Sequence, residues 1–269
     1  MSDPANEKET SQEITPTAAI PVMSVFFQAL GLPIHHAAVI GRYALLLLAV
    51  QLPLVMWPAY LLESPEYGAY VGLLPLLILF AIAATIVWTI ACHRVFIRGP
   101  ESMAGHGLIW WSSREWRFIG WMLVILLRAL PILIAMSLVY IPILFSVTDG
   151  FEKPTPVGLD ALGFLLFLPV FYVIGRSSIL LPATAIDERP SMKWAWSVTK
   201  GNGLRLMVLV GLFPLLTEAI LELVPAQDSL VYSVIVFAFY LYVAAVEIAI
   251  LSLSYRELVR SQPAECAAQ

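Results

Sequence analysis

Among the ionisable side chains inside long apolar runs four stand out, and three of them, Arg128, Arg176 and Glu247, fall at similar depth. A charge at mid-membrane depth costs at least ~2.5–3.5 kcal/mol on insertion scales, so such residues are functional suspects by default. Arg128 stands about ten, Arg176 about six and Glu247 about seven residues in from the basic end of their runs, roughly 10–15 Å deep by helix rise. At matching depth they are expected to form one polar cluster. Two guanidinium groups would hold the Glu247 carboxylate in its charged form and leave one positive charge for an anionic headgroup or solute. The competing readings are snorkelling of each arginine to the headgroups and, for Glu247, a purely structural ion pair. Glu218, in the outer half of its own run, is a separate intramembrane charge, with a water-filled vestibule as its plainer reading.

Other chemistry is hard to build from these residues. No serine sits in a nucleophile elbow, and neither a P-loop nor a glycine-rich dinucleotide fingerprint is present. The four histidines, His35, His36, His93 and His106, lack the paired helical spacing of a metal site and read as interfacial. Cys92 and Cys266 are too far apart in sequence to suggest a metal knuckle. Lys200-Gly201-Asn202-Gly203 with Arg205 would suit a phosphate, but a helix stop beside basic interface anchors explains the same residues. The reading therefore assigns no catalytic residue, metal or cofactor, and leans away from an enzyme.

The elements that must position these charges follow from composition. The chain of 269 residues is 60% hydrophobic and 13% charged, with a mean hydropathy of +0.85. A soluble domain is nearer ~25% charged, so lipid must be the solvent for much of this surface. Six apolar runs, about 39–62, 68–92, 118–147, 158–182, 203–225 and 229–254, each approach or exceed the ~20 residues that cross a bilayer as helix. Strands are excluded, because an open sheet edge in hydrocarbon leaves backbone groups unpaired. The expectation is an all-α polytopic bundle of six transmembrane helices with short interfacial helices. It spans residues 19–260, between a polar, disordered tail at 1–18 and a short tail at 261–269. The third run is overlong and carries Pro131 and Pro142, which predicts tilt, a kink or a protruding end. Residues 22–32 are apolar but too short to span and read as a helix lying in the interface.

Loop charge alternates along the chain. Glu63 and Glu66, then Asp149, Glu152 and Lys153, then Asp228 fall on one side; Arg94, Arg98, Arg114 and Arg117, then Arg189, Lys193, Lys200 and Arg205, then Arg256 and Arg260 fall on the other. Basic loops stay cytoplasmic, which places both termini and the two long loops inside. Arg114, Arg117, Lys193, Lys200 and Arg205 are candidate contacts to anionic headgroups. Trp110, Trp111, Trp116 and Trp121, with Trp194 and Trp196 in the second loop, are candidate interface anchors. Ser112 and Glu115 have capping-box spacing at the start of the third run, Pro190 suits a first helical turn, and Gly201 suits a left-handed stop.

Residues 176–205 carry a resemblance. Arg176, Pro182, Asp187 and Ala195-Trp196-Ser197-Val198-Thr199-Lys200-Gly201-Asn202 resemble a group of poorly characterised bacterial inner-membrane proteins. These are similar to the membrane domain fused to some glycerophosphodiester phosphodiesterases. His93-Arg94 with Gly99-Pro100-Glu101, and Tyr255-Arg256-Glu257-Leu258, are similar to further recurrent spots of that group. The resemblance implies a six-helix membrane protein without the soluble catalytic domain. Function then divides three ways: a scaffold, assembly or lipid-associated accessory protein; a small-solute transporter or channel subunit acting as an oligomer; or a lipid-modifying membrane enzyme. The expected partners are membrane lipids with anionic headgroups on the cytoplasmic side, and a second copy or another membrane protein, rather than nucleic acid.

Overall fold

A computed structural model describes residues 19–63, 72–108, 110–148, 157–221 and 230–260. The tails assigned to 1–18 and 261–269, and the loop positions Glu66, Asp149, Glu152, Lys153 and Asp228, lie outside them. All regular structure among the described residues is helical: α1 (Val22–His35), α2 (Ala37–Glu63), α3 (Leu74–Arg98), α4 (Ser113–Thr148), α5 (Val157–Ser177), α6 (Leu180–Ala185), α7 (Met192–Val198), α8 (Gly203–Leu206), a π-helical segment (Met207–Leu212), α9 (Phe213–Leu221) and α10 (Leu230–Arg260). A short 3-10 turn, Pro100–Met103, follows α3.

Among the described residues four helical stretches are long and apolar enough to cross a membrane: Leu74–Arg98, Ser113–Ser146, Leu162–Ala185 and Val231–Arg260. A fifth is available if Val22–His35 and Ala37–Gln51, which meet at a 77° bend, form one broken span. The other two expected runs are helical as well, 39–62 within α2 and 203–221 through the π segment and α9, but much of each beyond Gln51 and Thr217 lies outside the described side chains. Pro131 and Pro142 both sit within an unbroken α4.

The contacts set the directions. Arg114 at the start of α4 meets Asp187 just beyond α6, while Tyr140 farther along α4 stacks edge-on with Phe167 of α5, so the two run antiparallel. Gln51 of α2 donates to Thr85 of α3, and Tyr43 OH lies 3.4 Å from Gly107 O beyond α3, again antiparallel. Helix α10 runs parallel to α3: Ser252 faces His93, and Arg256 donates to Phe96 O. Ala84 and Ala91 of α3 and Ala245 and Ala249 of α10 are all buried in the same core. Small residues of this kind let helix backbones approach closely where lipid offers no hydrophobic drive between helices. Outward, α4 exposes Leu123, Leu126, Leu127, Leu130 and Leu138. An apolar outside around an inside that holds His93, Ser252 and Thr184 is the arrangement a lipid solvent demands.

Helix α1 crosses this assembly near the basic end. Ile20 N donates to Asn202 Oδ1 at 2.9 Å, Phe26 packs edge-on against Phe213, and Tyr242 OH donates to Leu30 O at 3.0 Å. The face it buries is Val25, Ala29 and Pro33, spaced four apart as a helix requires.

Candidate functional site at the basic end

The α3 helix runs past the expected end of its apolar stretch, through His93 and Arg94, and stops at Gly99, whose φ of +89 suits glycine. Both side chains are thereby buried. His93 Nδ1 lies 2.8 Å from Ser252 Oγ. The Ser252 hydroxyl donates to Ile248 O, so its oxygen is left to accept from an Nδ1–H. His93 is therefore a helix-to-helix tie within the core, not the interfacial residue expected.

Arg94 Nη1 donates to Asp187 Oδ2 at 2.6 Å and to Ala185 O at 3.2 Å. Arg114, in the first turn of α4, donates from Nη1 to the other oxygen, Asp187 Oδ1, at 3.0 Å. One carboxylate thus bridges α3 and α4, with Arg98 3.9 Å from the same Oδ2. Asp187 adopts φ +71, a left-handed conformation that a short polar side chain tolerates better than most. Burial works to raise its pKa, but the hydrogen bond from Arg94 and the charges of Arg114, Arg94 and Arg98 outweigh it and hold the carboxyl below the ordinary aspartate value.

Beneath this clamp Glu115 is fully buried. Its Oε2 accepts from Ser112 N and from Ser112 Oγ, each at 2.6 Å, and its Oε1 accepts from Arg114 Nε at 3.0 Å. The Ser112 hydroxyl oxygen in turn accepts from Arg114 N at 3.3 Å. The glutamate half of the capping box is formed, while the serine serves Arg114 N, one position earlier than the motif prescribes. The Arg114 guanidinium also lies 3.9 Å over Trp110.

The stretch 176–202 forms a second tie. Arg176 donates from Nε to Thr199 Oγ1 at 2.9 Å, from Nη1 to Tyr172 OH at 3.1 Å and from Nη2 to Trp196 O, with its guanidinium 4.1 Å over the Trp196 ring. It fastens the end of α5 to the end of α7. Ser191 caps α7 by accepting from Trp194 N at 3.1 Å, so the helix starts after Pro190 rather than on it. Gly201 stands at φ +83 just beyond, as expected of a left-handed stop. Gly175 lies so close to α8 that a Cβ there would meet Leu206 backbone atoms at 3.0 Å.

The three intramembrane charges are not brought together. Arg128 is exposed, although its neighbours Ile125 and Ala129 are buried, and it has no ion pair among the described residues. Arg176 is held by Thr199, Tyr172 and Trp196. Glu247 Oε1 accepts from Thr217 Oγ1 at 3.3 Å, beside α9. The depths matched, but the directions around the helices did not. The side chain of Glu218 lies outside the described residues.

Of the expected headgroup contacts, Arg114 must be corrected: Asp187 and Glu115 hold it and only 5% of it is exposed. Arg117 is half-buried and lines a groove. Lys193 and Lys200 are exposed, and Arg205 is half-buried, donating to Asn202 Oδ1 at 3.2 Å. Of the tryptophans, Trp111 and Trp116 face outward as an edge-on pair. The Arg94–Asp187–Arg114 clamp went unread because its partners are separated by 93 and 73 residues.

Among the described residues no three His, Cys, Asp or Glu side chains gather as metal ligands. The chemistry this end supports is the presentation of cations from a firmly tied surface. No protein-family model, curated protein or solved structure matches this chain.

Proposed function

We propose that this chain is a six-span protein of the bacterial inner membrane, with both termini cytoplasmic, serving as a non-catalytic scaffold, assembly or lipid-associated accessory protein. The carrying observation is a division of labour among cations at one end. Arg94, Arg114 and Arg176 are buried and tie loops to helices. Arg98, Arg189, Lys193 and Lys200 are exposed at the same end, beside outward-facing Trp111 and Trp116. Fixed loops bearing outward cations and aromatic anchors suit a cytoplasmic leaflet rich in anionic lipid. The test is purification of the full chain from native membrane. A constant protein partner, or retention of anionic over zwitterionic lipid, supports the reading; neither would overturn it.

A second reading, a small-solute transporter or channel subunit, draws on one feature. The π segment Met207–Leu212 interrupts the helical path that carries Thr217, the contact of Glu247. Solute uptake by proteoliposomes, abolished by Glu247→Gln, would favour it over the first.

A further inference from the structure

A groove of about 570 Å³ opens at the basic end between the first turns of α4 and the loop after α6, lined by Ser113, Arg117, Gly120, Trp121, Val124, Glu188, Arg189 and Pro190. We infer that it seats one anionic glycerophospholipid, with the headgroup phosphate between Arg117 and Arg189 and an acyl chain along Gly120, Trp121 and Val124. The inference deepens the accessory-protein reading above and rests on its membrane orientation.

Charge complementarity carries it. Neither Arg117 nor Arg189 has an ion-pair partner among the described residues, and Arg117 Nε is buried without an acceptor. Two acids of this end are committed elsewhere. Asp187 is shared by Arg94 and Arg114, and Glu115 is enclosed with Ser112 and Arg114; Glu188, which also lines the groove, forms no ion pair with either arginine. The groove thus holds two guanidinium groups and one carboxylate, a net positive charge, and guanidinium groups bind phosphate oxygens through directed, charge-assisted hydrogen bonds. Its wall is graded as a lipid is graded. Along α4 the polar Ser113 and Arg117 come first, Trp121 follows one turn on, and Val124 continues into the exposed leucines of the helix. The α4 N-terminus does not itself supply the site, since Ser112 N and Arg114 N are already satisfied by Glu115 and Ser112.

The experiment places the full chain in nanodiscs of phosphatidylcholine with added phosphatidylglycerol and counts retained lipid by native mass spectrometry. The wild type should keep one phosphatidylglycerol after delipidation, and R117Q/R189Q should lose it by about tenfold or more. K193Q/K200Q should keep the bound lipid while weakening the general preference for anionic bilayers. Equal losses in the two variants would mean diffuse attraction, which overturns the groove and spares the accessory-protein reading. No anionic preference in the wild type overturns both. R117K/R189K, if folded, should regain part of the adduct. A photoactivatable phosphatidylglycerol applied to wild-type protein should label residues 113–124 or the loop at 188–190. Labelling only elsewhere overturns the groove without any variant. Inorganic phosphate that displaces the lipid label at millimolar concentration would point to a soluble anion instead and likewise overturn it.

Discussion

Arg94 and Arg114 grip opposite oxygens of one carboxylate: Arg94 Nη1 is 2.6 Å from Asp187 Oδ2, and Arg114 Nη1 is 3.0 Å from Asp187 Oδ1. The two arginines are almost completely buried, whereas the aspartate side chain is 48% exposed. Solvent therefore screens the pairing, and its worth lies in joining α3, α4 and the loop after α6. Asparagine keeps the left-handed backbone and removes the charge. Asp187→Asn should lower stability by about 1 kcal/mol, read as a thermal shift of about 2–4 °C in detergent. An unchanged melting temperature would show that the clamp contributes nothing.

The same carboxylate gives a pH dependence with a definite sign. Its pKa is depressed in the folded protein, so the folded state binds this proton less readily than the unfolded chain does. The contribution is complete above the ordinary aspartate pKa of ~3.9 and is lost as pH falls below it, through the depressed value. Stability curves of the wild type and Asp187→Asn should converge on acidification below about pH 4. A difference that persists at lower pH would contradict the assignment.

Glu115 presents the opposite case, a buried carboxylate with several donors. Glu115→Ala leaves Arg114 without its adjacent counter-charge and uncaps α4, a loss of about 3–5 kcal/mol by analogy with broken buried pairs. Expression and thermal unfolding report it. Glu115→Gln should recover part of the loss, since an amide oxygen still accepts from Ser112 N.

Arg176→Gln should destabilise by about 2 kcal/mol, and Arg176→Lys should rescue little, because an ammonium cannot reproduce the fork of donors or the stacking on Trp196. Arg128→Gln should be nearly neutral. Gly175 of the α5 end lies against Leu206, and Glu247 lies against Thr217, eleven residues farther along that path or roughly 16 Å as helix. The effects of Arg176→Gln and Glu247→Gln should then add within about 0.5 kcal/mol. Clear coupling would restore the cluster that depth alone suggests.

Gly201→Ala tests backbone conformation apart from packing. Nothing lies within 4 Å of a Cβ at this position, so any loss comes from φ +83 alone and should be about 1 kcal/mol. Gly175→Ala places a methyl group against Leu206 backbone and should cost more. Thermal unfolding of the two variants side by side would reverse the order if backbone strain dominated.

Helical character and the apolar stretches were legible because period and length are local properties of the chain. Gly201 was legible for the same reason, since a helix stop needs only its neighbours. Three things were not. The direction Arg128 faces is set by which side of α4 meets α5 and α6, and a depth estimate carries no angle. The burial of His93 and Arg94 follows from α3 continuing six residues past its apolar run, which is worthwhile only because Ser252, Ala185 and Asp187 wait there. Asp187 carried part of the resemblance, but its structural role was not legible, since its partners are far away in sequence.

The contacts of α1 impose an order on synthesis. Its Leu30 carbonyl accepts from Tyr242, 212 residues later in the chain, and the backbone just before it needs Asn202, 182 residues later. At ~5–20 residues per second a ribosome takes roughly 10–40 s to bridge the longer interval. Throughout that time Val25 and Ala29 have been made, but the helix that will cover them has not. Helix α1, made well before α10, thus docks late. Until then it must shelter at the bilayer surface or on an insertion factor.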